Sequence, residues 1–328
     1  MQTSYIYSAS KATALSQMLL NCTDIERLLV AESGDDLQSA LKETYLASYL
    51  VRVPNENMSL AIEETLSHAK KLIHRITPQG DMFRIMWVQY DIHNLRVFAK
   101  ATAANYSYED CLPFLSERGI YSSQYLHEHV EAGTLNRLQI GWQEAYDAAV
   151  QVVQGGDLSA LDGVLDQLYF DTSKRIVESV GDSFMRKYFQ TLIDLYNLKS
   201  RLRHLKNESI SLEPKFIDGG TFAAGQVETL DGVTAMFKQF GGVSYWAEAL
   251  EEYQTVGNFT KVDAKAADYL LITAREGSYD MFSSASLVLY YLKCRQSAAN
   301  IRTIVVGKNS GFDTASIRDN LRIAYVNE

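Results

Sequence analysis

The chain has 328 residues, only four prolines and 19 glycines, and a formal net charge of −9. Proline breaks helix interiors, so punctuation this sparse suits long helices and argues against an all-β sandwich, which needs turns at short spacing. The acidic balance disfavours a dedicated nucleic-acid binder, which carries a basic face. With 47% hydrophobic and 22% charged residues the chain can bury a core, and its length suggests about two domains.

Along the chain, helical periodicity dominates. The opening residues lack a basic stretch followed by an apolar one, so no signal peptide is expected. Thr23-Asp24-Ile25-Glu26 reads as a capping box, with Thr23 holding an open amide and Glu26 reaching back. Leu28 and Leu29 follow on the buried side, and Ser33-Gly34 stops that helix. Asp35 and Asp36 suit the positive start of the next helix, which carries Leu37, Leu41 and Tyr45 at helical spacing. Phe189, Leu192, Ile193 and Tyr196 form a later stripe at i, i+3, i+4 and i+7. The β-branched run Thr303-Ile-Val-Val306 fits either a short strand or a buried helix end. Asp313 is predicted to cap a last helix with Ile317 and Leu321 on one face. The longest apolar run, from Ala285 to Leu292, falls short of the ~20 residues of a membrane span. With no prenylation box in the final Val-Asn-Glu, the expectation is a soluble, cytoplasmic chain whose membrane role, if any, is peripheral. Cys22, Cys111 and Cys294 are isolated and read as free thiols.

A long internal repeat sets the domain organisation. Three related helix segments read Asp91-Ile-His-Asn94-Leu95-Arg96, Asp194-Leu-Tyr-Asn197-Leu198-Lys199 and Ser297-Ala-Ala-Asn300-Ile301-Arg302, and their asparagines are 103 residues apart each time. Trp142-Gln-Glu144-Ala145 recurs as Trp246-Ala-Glu248-Ala249 after 104 residues. Pro113 and Gly119 recur as Pro214 and Gly220 after 101, each glycine preceding an aromatic by two positions, Tyr121 or Phe222. The division that follows is three helical domains, 1–112, 113–213 and 214–328, related by a pseudo-threefold, the first the most divergent. The repeated asparagine sits inside an apolar helix, where its amide must be satisfied. The expected partner is another helix, with a role in ligand chemistry as the alternative. Asn94, Asn197 and Asn300, with the bases Arg96, Lys199 and Arg302, are therefore the structural motif of each copy.

Sequence signatures of catalysis are missing. Gly307-Lys308-Asn309-Ser310-Gly311 lacks the first half of a phosphate loop, and neither GxGxxG after a strand nor GxSxG occurs. His127-Glu128-His129 with Glu131 places i and i+2 on different helix faces, unlike HExxH, and reads as a solvated helix. His68, His74, His93 and His204 have no companion at ligand spacing. Asp35-Asp36 lacks the third acid of a magnesium-diphosphate cluster. No cofactor or metal is expected. One basic cluster stands out, Lys199, Arg201, Arg203, His204 and Lys206. Cations favour a helix C-terminus; the functional reading is a docking patch for an acidic partner, using Lys199, Arg201, Arg203 and Lys206.

The segment Asn300-Ile-Arg302-Thr-Ile-Val-Val-Gly307-Lys308-Asn-Ser-Gly311, followed by Ile317-Arg318-Asp-Asn-Leu321-Arg322, resembles the C-terminal signature of the C subunit of V-type and archaeal A-type rotary ATPases, the d subunit in eukaryotes. The helices at Asp91 and Asp194 resemble the family's earlier repeats, and so does the opening, Tyr5 to Tyr7 and then Asp24-Ile-Glu-Arg-Leu-Leu29. Ser297 departs from the aspartate of the other two copies. The resemblance implies an all-α, non-catalytic rotor subunit, a funnel of three similar helical bundles. Its wide mouth would receive the central shaft, subunits D and F, and its narrow end would rest on the cytoplasmic face of the proteolipid ring. It would transmit torque between ATP turnover and proton or sodium transport. Two other classes stay open on the residues alone: an all-α enzyme of diphosphate or small-molecule substrates, and a helical adaptor unrelated to ATPases.

Overall fold

The computed structural model describes residues 5–32, 34–206 and 215–322. In chain order the helices are α1 (Ile6–Ser16), α2 (Cys22–Val30), α3 (Asp35–Leu41), α4 (Ala47–Leu50), α5 (Met58–Ile76), α6 (Arg84–Ala104), α7 (Tyr108–Cys111), α8 (Ser123–Glu131), α9 (Trp142–Gln154), α10 (Leu158–Val180), α11 (Ser183–Lys206), α12 (Leu230–Phe237), α13 (Val243–Val256), α14 (Thr260–Gly277), α15 (Ala285–Asn309) and α16 (Thr314–Asp319). No strand occurs among the described residues, so the fold is all-α. Thr303 to Val306 lies inside α15, which decides for the helix end.

The local signals are largely kept, with shifts at helix ends. The cap of α2 is Asn21, not Thr23. Asn21 has extended backbone, accepts from the Asp24 N–H at 3.0 Å, and donates its own N–H to the Asp24 carboxylate at 3.1 Å. Thr23 is already helical, so the box sits two residues earlier, and Glu26 is left to pair with Arg318. Gly34 opens α3 with φ +78, and Asp36 accepts from the Glu32 N–H at 2.6 Å; Ser33 lies outside the described residues. Leu37 and Leu41 are buried in α3, whereas Tyr45 falls beyond its end. Asp313 caps α16 by accepting from the Ser316 N–H at 2.9 Å. Ile317 is buried there, but α16 ends before Leu321. Along α11, Phe189 and Ile193 are buried, with Leu192 and Tyr196 half-buried.

The chain divides into two compact units, Met1–Pro78 with Ser244–Glu328, and Gln79–Val243. In the first, α15 packs against α1, α5, α14 and α16. In the second, α6 packs against α8, α9 and α10, and α11 packs against α10 and α12. Both α6 and α15 are buried around most of their circumference, as befits helices at the centre of a bundle rather than on its surface. Trp87, Trp142 and Phe98 are fully buried in the second unit, as are Trp246 and Tyr291 in the first. Large aromatic side chains carry much of the burial energy of such cores. Pro113 sits in the 3-10 turn Leu112–Phe114, where it needs no helical N–H; Pro214 lies outside the described residues.

Candidate functional site

Among the described residues the repeated asparagines bond loop backbone and not another helix. Each side-chain amide grips the backbone of a non-helical residue about twenty positions downstream. Asn94 donates Nδ2–H to the Ser116 carbonyl at 2.8 Å and accepts the Ser116 N–H at 2.8 Å. Asn197 does the same with Ile217, at 2.9 Å in both directions. Asn300 donates to the Arg322 carbonyl at 3.3 Å and accepts its N–H at 2.9 Å. A primary amide carries one acceptor oxygen beside N–H donors, so it can stand in for a neighbouring strand's peptide group. All three asparagines are buried, where an unpaired amide would cost about 1–3 kcal/mol. The helix partner expected from sequence is thus corrected: buried loop backbone, with no neighbouring helix to bond it, is what requires satisfying.

The aspartate of the motif closes the same junction. Asp91 accepts the backbone N–H groups of Ile120 at 2.7 Å and Tyr121 at 3.2 Å. Asp194 accepts the Thr221 N–H at 2.8 Å and its hydroxyl at 2.7 Å. A Cβ on Gly119 would overlap Asp91 Oδ1, and one on Gly220 would overlap Asp194 Oδ1. The repeated glycine is therefore the clearance that lets a carboxylate lie against the turn. Burial pushes the Asp194 carboxyl up from its ordinary value, and the Thr221 bonds offset part of that. In the third copy the hydroxyl of Ser297 is buried and finds no hydrogen-bond partner among the described residues. There Gly307 opens a different clearance: a Cβ on it would come within 2.7 Å of Ile317 Cγ1, so α16 lies directly on α15.

Two of the bases that follow the asparagines, Arg96 and Arg302, reach acids on a second long helix. Arg96 pairs with Asp162 at 3.2 Å and Asp166 at 3.5 Å on α10. Arg302 pairs with Glu63 at 2.9 Å on α5. Tyr196 donates its hydroxyl to Asp166 at 2.9 Å. Burial raises the Asp166 carboxyl, opposed by the Tyr196 bond and the charges of Arg96 and Lys199. Glu63 and Asp166 are 103 residues apart, the period of the asparagines. Reading the sequence missed these acids; the signal that finds them is the same period applied to the partner helix.

The basic cluster occupies the last turns of α11. Arg201 turns onto its own unit, donating to the carbonyls of Val227 at 3.1 Å and Glu228 at 3.3 Å. Those carbonyls end a 3-10 turn, so the guanidinium satisfies acceptors that the turn leaves open. Arg203 and Lys206 are exposed, and Lys199 is half-buried. His127 stacks with Phe98 and Tyr108, whereas His129 bonds Thr134 at 2.7 Å, so the two histidines serve different contacts. Among the described residues no group of three or more His, Cys, Asp or Glu is placed to hold a metal ion. No helix among them is long and apolar enough to cross a membrane. Cys22, Cys111 and Cys294 are free thiols, and burial pushes that of Cys294 up to about 12.

Comparison with known proteins places this architecture. The chain matches the family described as ATP synthase (C/AC39) subunit over residues 9–320. It is 23% identical over 342 residues to the C subunit of the A-type ATP synthase of Methanothermobacter thermautotrophicus, covering 97% of this chain and 87% of the relative. It is 21% identical over 340 residues to the C subunit of the A-type ATP synthase of Methanocaldococcus jannaschii, covering 96% and 85%. It is 19% identical over 318 residues to the C subunit of the V-type sodium ATPase of Enterococcus hirae, covering 94% of each. The three interlocking asparagines, Asn94, Asn197 and Asn300, all fall within the matched span. The chain belongs to the ATP synthase (C/AC39) subunit family, a non-catalytic structural subunit of A/V-type rotary ATPases.

Proposed function

We propose that this protein is the coupling piece of the central rotor, joining the proteolipid ring to the shaft subunits D and F on the cytoplasmic side of the membrane. It transmits torque between ATP hydrolysis or synthesis and the transport of protons or sodium ions. Three homologous helical domains, 1–112, 113–213 and 214–328, form a funnel in this reading, wide toward the shaft and narrow toward the ring. The observation that carries it is the thrice-repeated amide interlock within a chain of this family. A torque coupling must resist shear between its helices and connecting loops. Bidentate amide-to-backbone bonds from buried asparagines do that, because breaking one leaves the buried amide unpaired.

The basic end of α11 serves as a docking patch for an acidic partner surface, with Lys199, Arg201, Arg203 and Lys206 supplying the charge. The engagement of Arg201 with Val227 and Glu228 separates two effects. Arg201→Glu destabilises the chain itself, and Arg203→Glu with Lys206→Glu, at two exposed positions, weakens assembly. The test of the whole reading is affinity purification of the tagged chain from gently solubilised membranes. Recovery of the proteolipid ring together with D and F is the expected result. Recovery without any ATPase subunit, or with the catalytic head but never the ring, overturns it.

A further inference from the structure

A cavity of about 470 Å³ opens within the first compact unit, among the end of α1, the end of α14 and the first half of α15. Near its start α1 buries Ser8, Ala9 and Ala12, and it packs on α15. Near its end Thr13, Ser16 and the capping Gln17 line the cavity, spaced i, i+3 and i+4 on one face. From α15 come Ser286, Leu289 and Lys293, again on one face at i, i+3 and i+7. Ser286 and Lys293 are 6% and 8% exposed and form the floor. Arg275 and Tyr279 are exposed and stand at the mouth.

The lining holds two cations, Arg275 and Lys293, and no carboxylate, in a chain whose formal net charge is −9. Glu276 and Asp280 flank the mouth in sequence, and neither lines the cavity. A cation at a helix C-terminus needs no ligand to account for it, and Arg275 in the last turn of α14 fits that description. Lys293 does not, because it sits inside α15 and is buried. Burying an ammonium is costly and is tolerated where anions or strong acceptors meet it. The rest of the wall is apolar, from Leu19, Leu20 and Leu289. An inorganic anion would leave that apolar wall and most of the volume unfilled, whereas cavities of about 300–1,000 Å³ are the size that holds organic ligands.

We propose that this cavity binds a phosphate monoester of an organic group, with Lys293 and Arg275 holding the phosphate and Leu19, Leu20 and Tyr279 meeting the organic part. Two cations match the charge of about −2 that a phosphate monoester carries near pH 7, where a carboxylate carries only −1. Lysine supplies a point charge and arginine a planar fork of donors, and both make charge-assisted bonds to phosphate oxygens. The Ser286 hydroxyl, on the same floor, adds a donor. A soluble nucleotide and a phospholipid headgroup both offer this chemistry. A ligand seated here touches α1, α14 and α15 together, so its binding raises the melting temperature of the chain. The site rests on the cavity and its charges, not on the coupling role proposed above.

The test is calorimetric titration of the full chain, at low salt, with three probes: AMP, inorganic phosphate, and phosphatidylcholine vesicles with and without phosphatidic acid. Binding of AMP roughly tenfold tighter than inorganic phosphate assigns a soluble ligand. Binding of the phosphatidic-acid vesicles roughly tenfold tighter than the plain ones assigns a lipid headgroup. Either result supports the site. Lys293→Met and Arg275→Gln are each expected to weaken that binding roughly tenfold, and to shrink the rise in melting temperature with it. Arg295→Gln changes an exposed cation of α15 that does not line the cavity, and leaves binding unchanged. Should Lys293→Met fail to fold, Arg275→Gln, at an exposed position, decides alone. Neither organic phosphate binding more tightly than about 1 mM, or binding that Arg275→Gln leaves intact, overturns the site and leaves the coupling role standing.

Discussion

The junction at Asn94 and the junction at Asn300 solve one problem with different residues. At Asn94 an amide and a carboxylate, Asn94 and Asp91, together hold the returning chain at Ser116, Ile120 and Tyr121. At Asn300 the amide works beside a serine. The rest of the closure comes from apolar contact between Gly307 and Ile317, and from the Arg318–Glu26 and Arg302–Glu63 pairs at the surface. The element common to all junctions is the amide, because it alone presents donor and acceptor to one residue's backbone. The carboxylate is replaceable where a short helix lies close enough to seal the turn. The cost of the carboxylate is visible at the middle junction, where burial raises the Asp194 carboxyl.

Breaking the clearances has the largest expected effect. Gly220→Ala sets a methyl group against a carboxylate whose bonds hold Thr221, and should cost about 3 kcal/mol by combining overpacking with lost hydrogen bonds. Urea unfolding followed by ellipticity reads this as a lowered midpoint. Next come the amides themselves. Asn94→Ala should cost about 2 kcal/mol, because Ser116 is buried and its N–H and C=O would have no water to turn to. Asn300→Ala should cost about 1 kcal/mol, since Arg322 is half-buried and solvent can replace part of what is lost. Equal losses at the two sites would show that the junctions are not differently sealed.

The pH response separates buried carboxylates from capping ones. Asp194 and Asp166 have raised folded values, so their contribution is most favourable at low pH. It declines as pH rises from the ordinary carboxylate value through the folded one. Asp313 has a lowered folded value, set by its bonds to Ser316, so its contribution is present above the ordinary value and lost as pH falls through the folded one. Asp313→Asn keeps a cap without titration, so its stability should fall less steeply on acidification than that of the unaltered chain. Identical acid limbs in the two profiles would remove Asp313 from the account. The smallest effect is expected for Ser297→Ala. Removing a buried hydroxyl with no partner among the described residues should leave stability unchanged or slightly raised. A loss of about 1 kcal/mol or more would show that Ser297 has taken over the work of the missing aspartate.

Much of the architecture is legible in the residues alone. Helix class follows from four prolines, and the motif helices from three asparagines in register. The capping residue of α2 is harder to place: the sequence points to Thr23, and only the extended backbone at Asn21, a property of the fold, moves the cap two residues earlier. The partners of the asparagines escape sequence reading for a related reason. An amide inside an apolar helix states that something polar must meet it, but not whether that is a helix or a loop folded back from twenty residues on. The acids Glu63 and Asp166 sit on helices with no shared local motif, so only the period links them. The role of Gly119 and Gly220 as clearance for a carboxylate needs the distance between turn and helix, which spacing alone does not supply.

The coupling role is tested most directly by measuring ATP hydrolysis and ion uptake together, in reconstituted vesicles holding the complex with and without this protein. The account predicts that hydrolysis by the head continues without it, that uptake is lost, and that adding back the purified chain restores uptake. Ion uptake per ATP that is undiminished in its absence would contradict it.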